Sequence, residues 1–406
     1  MNDICPVAII GAGPYGLSLA AHLRARGVEH RIFGKPLGTW RNHMPRDMML
    51  KSDGFASNLS APAGDSTMKA WCAARNIPYA DEGLPIPLDR FIAYADWFRA
   101  RFVPDLEDVQ VTALRRSGEG FALTLETGEQ LQAARVVLAV GITWFAHIPD
   151  ELRNLPGELL SHSYAHRDVE QFRGKDVVVI GSGASAIDLA SLLQTSGAKA
   201  RIVARTRVLD FNSIPDPDAE TLLYRIQRPA SGIGRGWRSY FCAAAPLLFY
   251  RLPDALKRRA ISSHMHPAAG WFMREKVEGK IQTLLGRKIV GAESKNGRAV
   301  LTLEGPSGDE EALVCDHVIA ATGYKADMHR IPFLDAALVT RVAEPGRPPF
   351  VTDNFETAVP GLYVMGLAAM DSFGPLLRFM YGAEFAAPRL AAHLSRNVEG
   401  QSRRAA

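Results

Sequence analysis

The sequence predicts an α/β fold of two Rossmann-like dinucleotide-binding domains, each completed by a β-meander. Two observations predict it. A strand, glycine turn, helix and strand occur in that order twice, and the segment that follows each copy repeats as well. The 406 residues suffice for two domains with separate cores. With 47% apolar and 22% charged residues, the chain has an ordinary globular composition. Its formal net charge of +4 is too small to argue for a nucleic-acid partner.

The first unit opens with the apolar run Val7 to Ile10, followed at once by Gly11-Ala-Gly13-Pro14-Tyr15-Gly16. Leu17, Leu19, Ala20, Ala21 and Leu23 continue as a helix that Gly27 stops, and Glu29 to Phe33 is the next strand. Each glycine has a physical task. Gly11 permits a tight turn, Gly13 lets a pyrophosphate approach the backbone, and Gly16 lets the helix pack closely on the strand. Unpaired N–H groups and the helix dipole then favour phosphate at the helix start.

The second unit runs from Asp176 to Ile180, through Gly181-Ser182-Gly183-Ala184-Ser185-Ala186, into a helix to Leu193 and a strand from Ala200 to Ala204. Ala186 replaces the third glycine and still allows close packing. The segments Phe121 to Gly141 and Ala299 to Gly323 each read as two alternating strands around a glycine turn, then a buried strand ending in glycine. The competing reading is a single Rossmann domain beside an unrelated α/β domain.

The position that grips the ribose in such units lies about 20 residues beyond the first glycine. In the first unit the acid usually found there is missing, and Lys35 or backbone groups are the substitutes. In the second unit Arg205-Thr206-Arg207 stands there, two bases and no acid, which favours a 2′-phosphate and hence NADP over NAD.

Other chemistries find little support. The four cysteines (Cys5, Cys72, Cys242, Cys315) form no CxxC pair, which argues against a zinc ribbon or a local redox disulfide and fits a reducing, cytoplasmic setting. No metal-ligand spacing and no Ser/His/Asp triad stands out. The start of the chain lacks the basic character of a signal peptide, and no apolar run nears the roughly 18 residues of a membrane span.

A family resemblance now becomes specific. Gly38-Thr39-Trp40-Arg41 resembles the GGxWR stretch after the FAD loop of class B flavin-containing monooxygenases. Gly181 to Ala186 resembles their NADPH loop, Ala321-Thr322-Gly323-Tyr324 their ATGY element, and Pro360 to Ala368 their late strand beside the flavin. The stretch Leu155 to Tyr164 departs from the signature of the Baeyer–Villiger branch, so the chain is closer to the N-hydroxylating and general flavin-containing branches. The resemblance implies FAD and NADPH as cofactors, with the NADPH domain inserted in the FAD domain. Residues 1–150 would be the first part of the FAD domain, 151–325 the NADPH domain, and 326–406 the C-terminal part of the FAD domain.

It also implies site residues. Trp40, Arg41 and Asn58 are the catalytic candidates, with Asn58 otherwise a turn former. Gly11, Gly13, Pro14, Tyr15, Gly16, Lys35, Trp40, Arg41, Ser52, Val111, Gly141 and Gly366 are assigned to FAD. Gly181, Ser182, Gly183, Ala184, Ser185, Arg205, Thr206, Arg207, Thr322 and Gly323 are assigned to the NADPH side. His162 is either structural or close to NADPH. The helix that begins at Gly374-Pro375 either aims its N-terminus at the flavin or closes the domain.

The implied activity is reduction of FAD by NADPH. A C4a-(hydro)peroxyflavin formed with O2 would then oxygenate a small nitrogen or sulfur nucleophile. The protein would supply a dry pocket and orientation. Two alternatives stay open, an NADPH-dependent flavin oxidoreductase or oxidase without oxygen insertion, and a non-catalytic FAD-binding redox sensor. One segment fits neither repeat. Residues 221–290 carry thirteen Lys and Arg against three acids, interleaved with aromatics. They read as a helical insertion, either a lid with a solvated basic rim or a face for peripheral contact with anionic lipid. The sequence sets no oligomeric state.

Overall fold

In the computed structural model, residues 4–213, 221–263 and 268–405 are described. The first glycine unit forms as expected. Ala8–Ile10 runs into the helix Pro14–Ala25 and back to the parallel strand Arg31–Phe33. Pro14 suits the first helical position because its missing N–H has no partner to lose there. Gly27, at φ 67°, ends the helix in the left-handed region. Val136–Leu138 and Leu362–Val364 complete a four-stranded parallel sheet in the order 362–364, 136–138, 8–10, 31–33. All twelve of its residues but Arg31 are buried, as a sheet covered on both faces requires.

The second unit repeats the arrangement. Asp176–Ile180, the helix Ala184–Thr195 and Lys199–Ala204 sit in a five-stranded parallel sheet. Its order is 282–285, 199–204, 176–180, 317–320, 160–162. Each unit carries a three-stranded antiparallel meander, Val111–Ser117 with Gly120–Leu125 and Gln130–Ala133, and Lys288–Lys295 with Arg298–Glu304 and Glu310–Cys315. The first strand of each meander lies outside the repeat read from the sequence. Val111–Ser117 has only two fully buried residues and Lys288–Lys295 none, so neither shows clean alternation.

Two further boundaries differ from expectation. Helical structure in the basic segment stops at Val277, because Gln282–Leu285 pairs with Arg201–Ala204 and Lys288–Lys295 joins the meander. The last helix begins at Ala383 rather than Pro375. The stretch before it turns twice in short 3₁₀ segments, Pro375–Arg378 and Met380–Gly382.

The buried core divides in the same places as the sheets. One cluster joins residues from Cys5 to Phe145 with residues from Met328 to Leu394. Two others hold residues between Leu152 and Ala321. The expected pair of Rossmann-like units, the second inserted in the first, is therefore present. The chain passes between them near residue 146 and returns near residue 324, where Ala146 and Tyr324 form an antiparallel bridge.

Candidate functional site

The two glycine loops share one construction. A side chain on Gly11, at φ 118°, would meet the Ala139 carbonyl oxygen at 2.2 Å. One on Gly181, at φ 136°, would meet the Ala321 carbonyl oxygen at 2.5 Å. Each loop thus lies against the residue that follows a central strand of its own sheet, and only glycine fits there. Gly16 is tighter still, with a hypothetical Cβ 1.8 Å from the Gly11 oxygen. A Cβ on Gly13, in contrast, would meet no protein atom within 4 Å. Beyond each loop the helix starts without a side-chain cap and without an acid in its first turn. The initial N–H groups and the positive helix end are therefore left to a ligand anion.

The FAD-assigned residues around the first loop come together. Leu37 N–H donates to the Ala12 carbonyl, which ties the turn bearing Lys35 to the loop. Gly141 faces Thr39, and Gly366 packs on the ring of Tyr15. The Tyr15 hydroxyl lies 2.7 Å from the Phe379 carbonyl and 3.1 Å from that of Leu377. It anchors the C-terminal segment to the loop. Val111 is buried in the core at a β-bulge that starts the meander.

Trp40, Arg41, Ser52 and Asn58 have identifiable partners. Trp40 packs on Phe91, with ring centroids 4.5 Å apart. Arg41 Nη2 reaches both oxygens of Asp96 at 2.6 Å beside a cavity of about 530 Å³ that Lys35 and Arg99 also line. Ser52 and Ser57 hydroxyls lie 2.8 Å apart. The Asn58 amide donates to the Phe55 carbonyl and accepts from Met68 N–H, both at 2.9 Å. A further hydrogen bond joins Asn58 to Glu384, whose carboxyl burial pushes upward and this bond draws back. Asn58 thus shapes its own loop, the turn-forming use of asparagine.

In the second unit, Arg205 and Arg207 are exposed just beyond Lys199–Ala204. Between them the Thr206 hydroxyl is buried without a hydrogen-bond partner among the described residues. Thr322 and Gly323 lie at the return crossing rather than on the loop. The Thr322 hydroxyl donates to the His147 carbonyl.

His162 also belongs to the crossing. Its Nε2 meets the Gly323 carbonyl at 3.0 Å and its Nδ1 accepts from Tyr164 N–H at 3.3 Å. A carbonyl only accepts, so the ring is the neutral Nε2–H tautomer. Burial lowers its pKa to about 4. Beside it, the partners fix a directed chain. Gln171 donates to His166, His166 to Ser161, Ser161 to His317, and His317 to the Glu158 carbonyl. A cavity of about 730 Å³ opens here, lined by His147, His162, Arg153, Lys325 and Arg330.

Sequence reading missed one pair that joins the units. Lys51, in the loop between Asn42 and Gly54, places its ammonium 2.5 Å from Asp188 on the helix Ala184–Thr195. Asp188 is buried, and its other oxygen has no partner among the described residues. The available signal was Asp188 itself, the one charged residue in the apolar helix AIDLASLL.

The sequence matches the family described as pyridine nucleotide-disulphide oxidoreductase over residues 5–226, more than half of the chain. The chain belongs to this family. It is an oxidoreductase, as expected. A rice indole-3-pyruvate monooxygenase is 30% identical over 212 residues, 49% of this chain and 48% of that protein, so the match spans about half of the relative. An FAD-dependent urate hydroxylase from Xanthomonas campestris is 25% identical over 96% of this chain and 85% of its own length. Among solved structures, an ornithine N-hydroxylase from Kutzneria, with reduced FAD, NADP⁺ and L-ornithine, has a TM-score of 0.76 at 15% identity and covers 97% of this chain and 100% of its own. At that identity the likeness speaks for the fold alone. Relative to the family's name, this member has no thiol pair. All four cysteines are free and buried.

Proposed function

We propose that this chain is an FAD- and NADPH-dependent monooxygenase that transfers one oxygen atom from O2 to a nitrogen or sulfur nucleophile of a small molecule, in a cytoplasmic setting. One observation carries the reading. Two glycine loops of the same build, each opening an uncapped helix, occur in a chain whose four thiols are buried and unpaired. Electrons arriving at a flavin here find no dithiol of this chain to accept them, which favours an external acceptor, O2 in this reading. The monooxygenase and hydroxylase relatives support the same direction.

The residues present fit both cofactors. Gly11, Gly13, Pro14 and Gly16, with the uncapped helix behind them, would hold the FAD pyrophosphate, and Lys35 would take the place of the missing ribose-binding acid. Gly181 to Ser185 would hold the NADPH pyrophosphate. Arg205, Arg207 and the unpartnered Thr206 hydroxyl match a 2′-phosphate, which brings acceptor oxygens to each. When bound, these cofactors supply hydride transfer and the reaction with O2.

The chain's own work is placement and exclusion of water. Lys51 and Asp188 pin the FAD-side loop to the NADPH-side helix, and the free Asp188 oxygen is an acceptor for a ligand amide. The experiment is to add NADPH and isotopically labelled O2 to purified protein with candidate amines and sulfides. Label in the product supports the proposal. NADPH consumption with hydrogen peroxide as the sole product favours an oxidase, and an unreduced flavin favours a sensor.

A further inference from the structure

Three consecutive helices, Trp237–Ala244, Pro246–Tyr250 and Asp254–Ser263, form a layer over the segment Met370–Arg378. Their inner sides bury Cys242, Phe249 and Ile261 against Met370. Their outer sides leave Trp237, Tyr240, Leu247, Leu248 and Leu256 exposed. The preceding helix, Leu222–Gln227, buries no residue at all, and its Leu222, Leu223 and Ile226 are more than half exposed. Among the described residues, eight of the fourteen exposed large apolar side chains thus fall between Leu222 and Leu256. A soluble surface rarely concentrates them so.

Charge is concentrated in the same place. Residues 222–263 hold eight bases and one acid, a net of +7 in a chain whose total is +4, so the remainder is net negative. Arg251, Arg258 and Arg259 are exposed and alternate along the chain with Leu247, Leu248 and Leu256. Trp237 and Tyr240, rings 5.8 Å apart, add two side chains with an apolar body and a polar tip.

We propose that this helical layer is a docking surface for an anionic lipid bilayer. A second copy of the chain would set this basic face, with Arg251, Arg258 and Arg259 exposed, against its own like and is opposed electrostatically. Nucleic acid would neutralise the bases but offers nothing to the projecting leucines. Only an anionic interface takes both, phosphate headgroups for the arginines and the acyl boundary for the apolar side chains. No helix among the described residues is long and apolar enough to cross a membrane, so the contact is peripheral.

The test is co-sedimentation of the full chain with vesicles of phosphatidylcholine alone or mixed with phosphatidylglycerol. The protein partitions onto the mixed vesicles and is released by salt. Arg258→Gln with Arg259→Gln weakens binding roughly 25-fold, about fivefold per base. Trp237→Ser with Leu248→Ser weakens it about tenfold or more while leaving the salt dependence intact. Both positions of the second variant are exposed, and circular dichroism melting verifies its fold. The proposal is overturned by equal partition onto both vesicle types, by variants that bind like the parent, or by a dimer in light scattering that ignores vesicles.

Discussion

Lys51 Nζ lies 2.5 Å from Asp188 Oδ2, across the junction of the two nucleotide-binding units. The same ammonium also donates to the Met49 carbonyl at 2.6 Å. Burial raises the Asp188 pKa and Lys51 lowers it back. Removing one partner leaves the other buried and unpaired, which costs more than the pair contributes. Asp188→Ala therefore lowers stability by about 3–5 kcal/mol in urea denaturation. Lys51→Met with Asp188→Leu recovers much of that loss. Equal stability of the single and double variants would show that the pair carries no buried charge penalty.

Gly11 and Gly13 are two residues apart and respond oppositely to alanine. Gly11→Ala puts a methyl onto the Ala139 carbonyl at a φ of 118° and is expected to cost more than about 3 kcal/mol, seen as poor soluble yield. Gly13→Ala meets only open space in the protein and keeps stability within about 1 kcal/mol. It should nevertheless lose flavin, read from the ratio of visible to ultraviolet absorbance. Full flavin content in Gly13→Ala would remove that position from the pyrophosphate site.

Acid sensitivity follows from the buried histidines. His162 and His166 have pKa values lowered to about 4 by burial, against about 6.5 in the unfolded chain. The unfolded state therefore binds more protons below pH 6.5, and stability falls as pH drops from there toward 4. Each histidine accounts for a loss on the order of 3 kcal/mol at the acid end. The urea midpoint should drop steadily between pH 7 and 4.5, and His166→Gln should flatten the curve. A midpoint that stays level over that range contradicts the neutral assignment of both rings.

What the sequence disclosed follows from where its signals are strong. The two glycine loops were legible because φ or backbone contact leaves only glycine possible at Gly11, Gly16 and Gly181. The central strands were legible because double-sided burial makes them continuously apolar. The first meander strands were hidden because edge positions such as Arg115 and Lys288 face water. The helix start at Ala383 was misplaced because Gly374-Pro375 also serves a 3₁₀ turn. Arg41 was read by motif and Asn58 from its place in the loop that follows, and the structure reveals their partners, Asp96 and the Phe55–Met68 loop. Lys51 with Asp188 was invisible because 137 positions separate two ordinary residues that only the fold brings together.

The nicotinamide cofactor's phosphate gives the last prediction. Arg205 and Arg207 stand exposed at the end of Lys199–Ala204, flanking a Thr206 hydroxyl with no partner among the described residues. An exposed guanidinium gains little from a neutral ribose hydroxyl, whereas a dianionic phosphate brings charge-assisted hydrogen bonds to both arginines and an acceptor to the threonine. Arg205→Gln should weaken the kinetic preference for NADPH by about 1–3 kcal/mol, roughly 5- to 150-fold in kcat/KM, with NADH turnover nearly unchanged. Thr206→Val should also erode NADPH use while raising stability slightly, because it replaces an unsatisfied buried hydroxyl with a methyl. A parallel loss with NADH would mean that Arg205 supports the loop rather than the phosphate. The ratio of the two cofactors' kcat/KM values separates the cases.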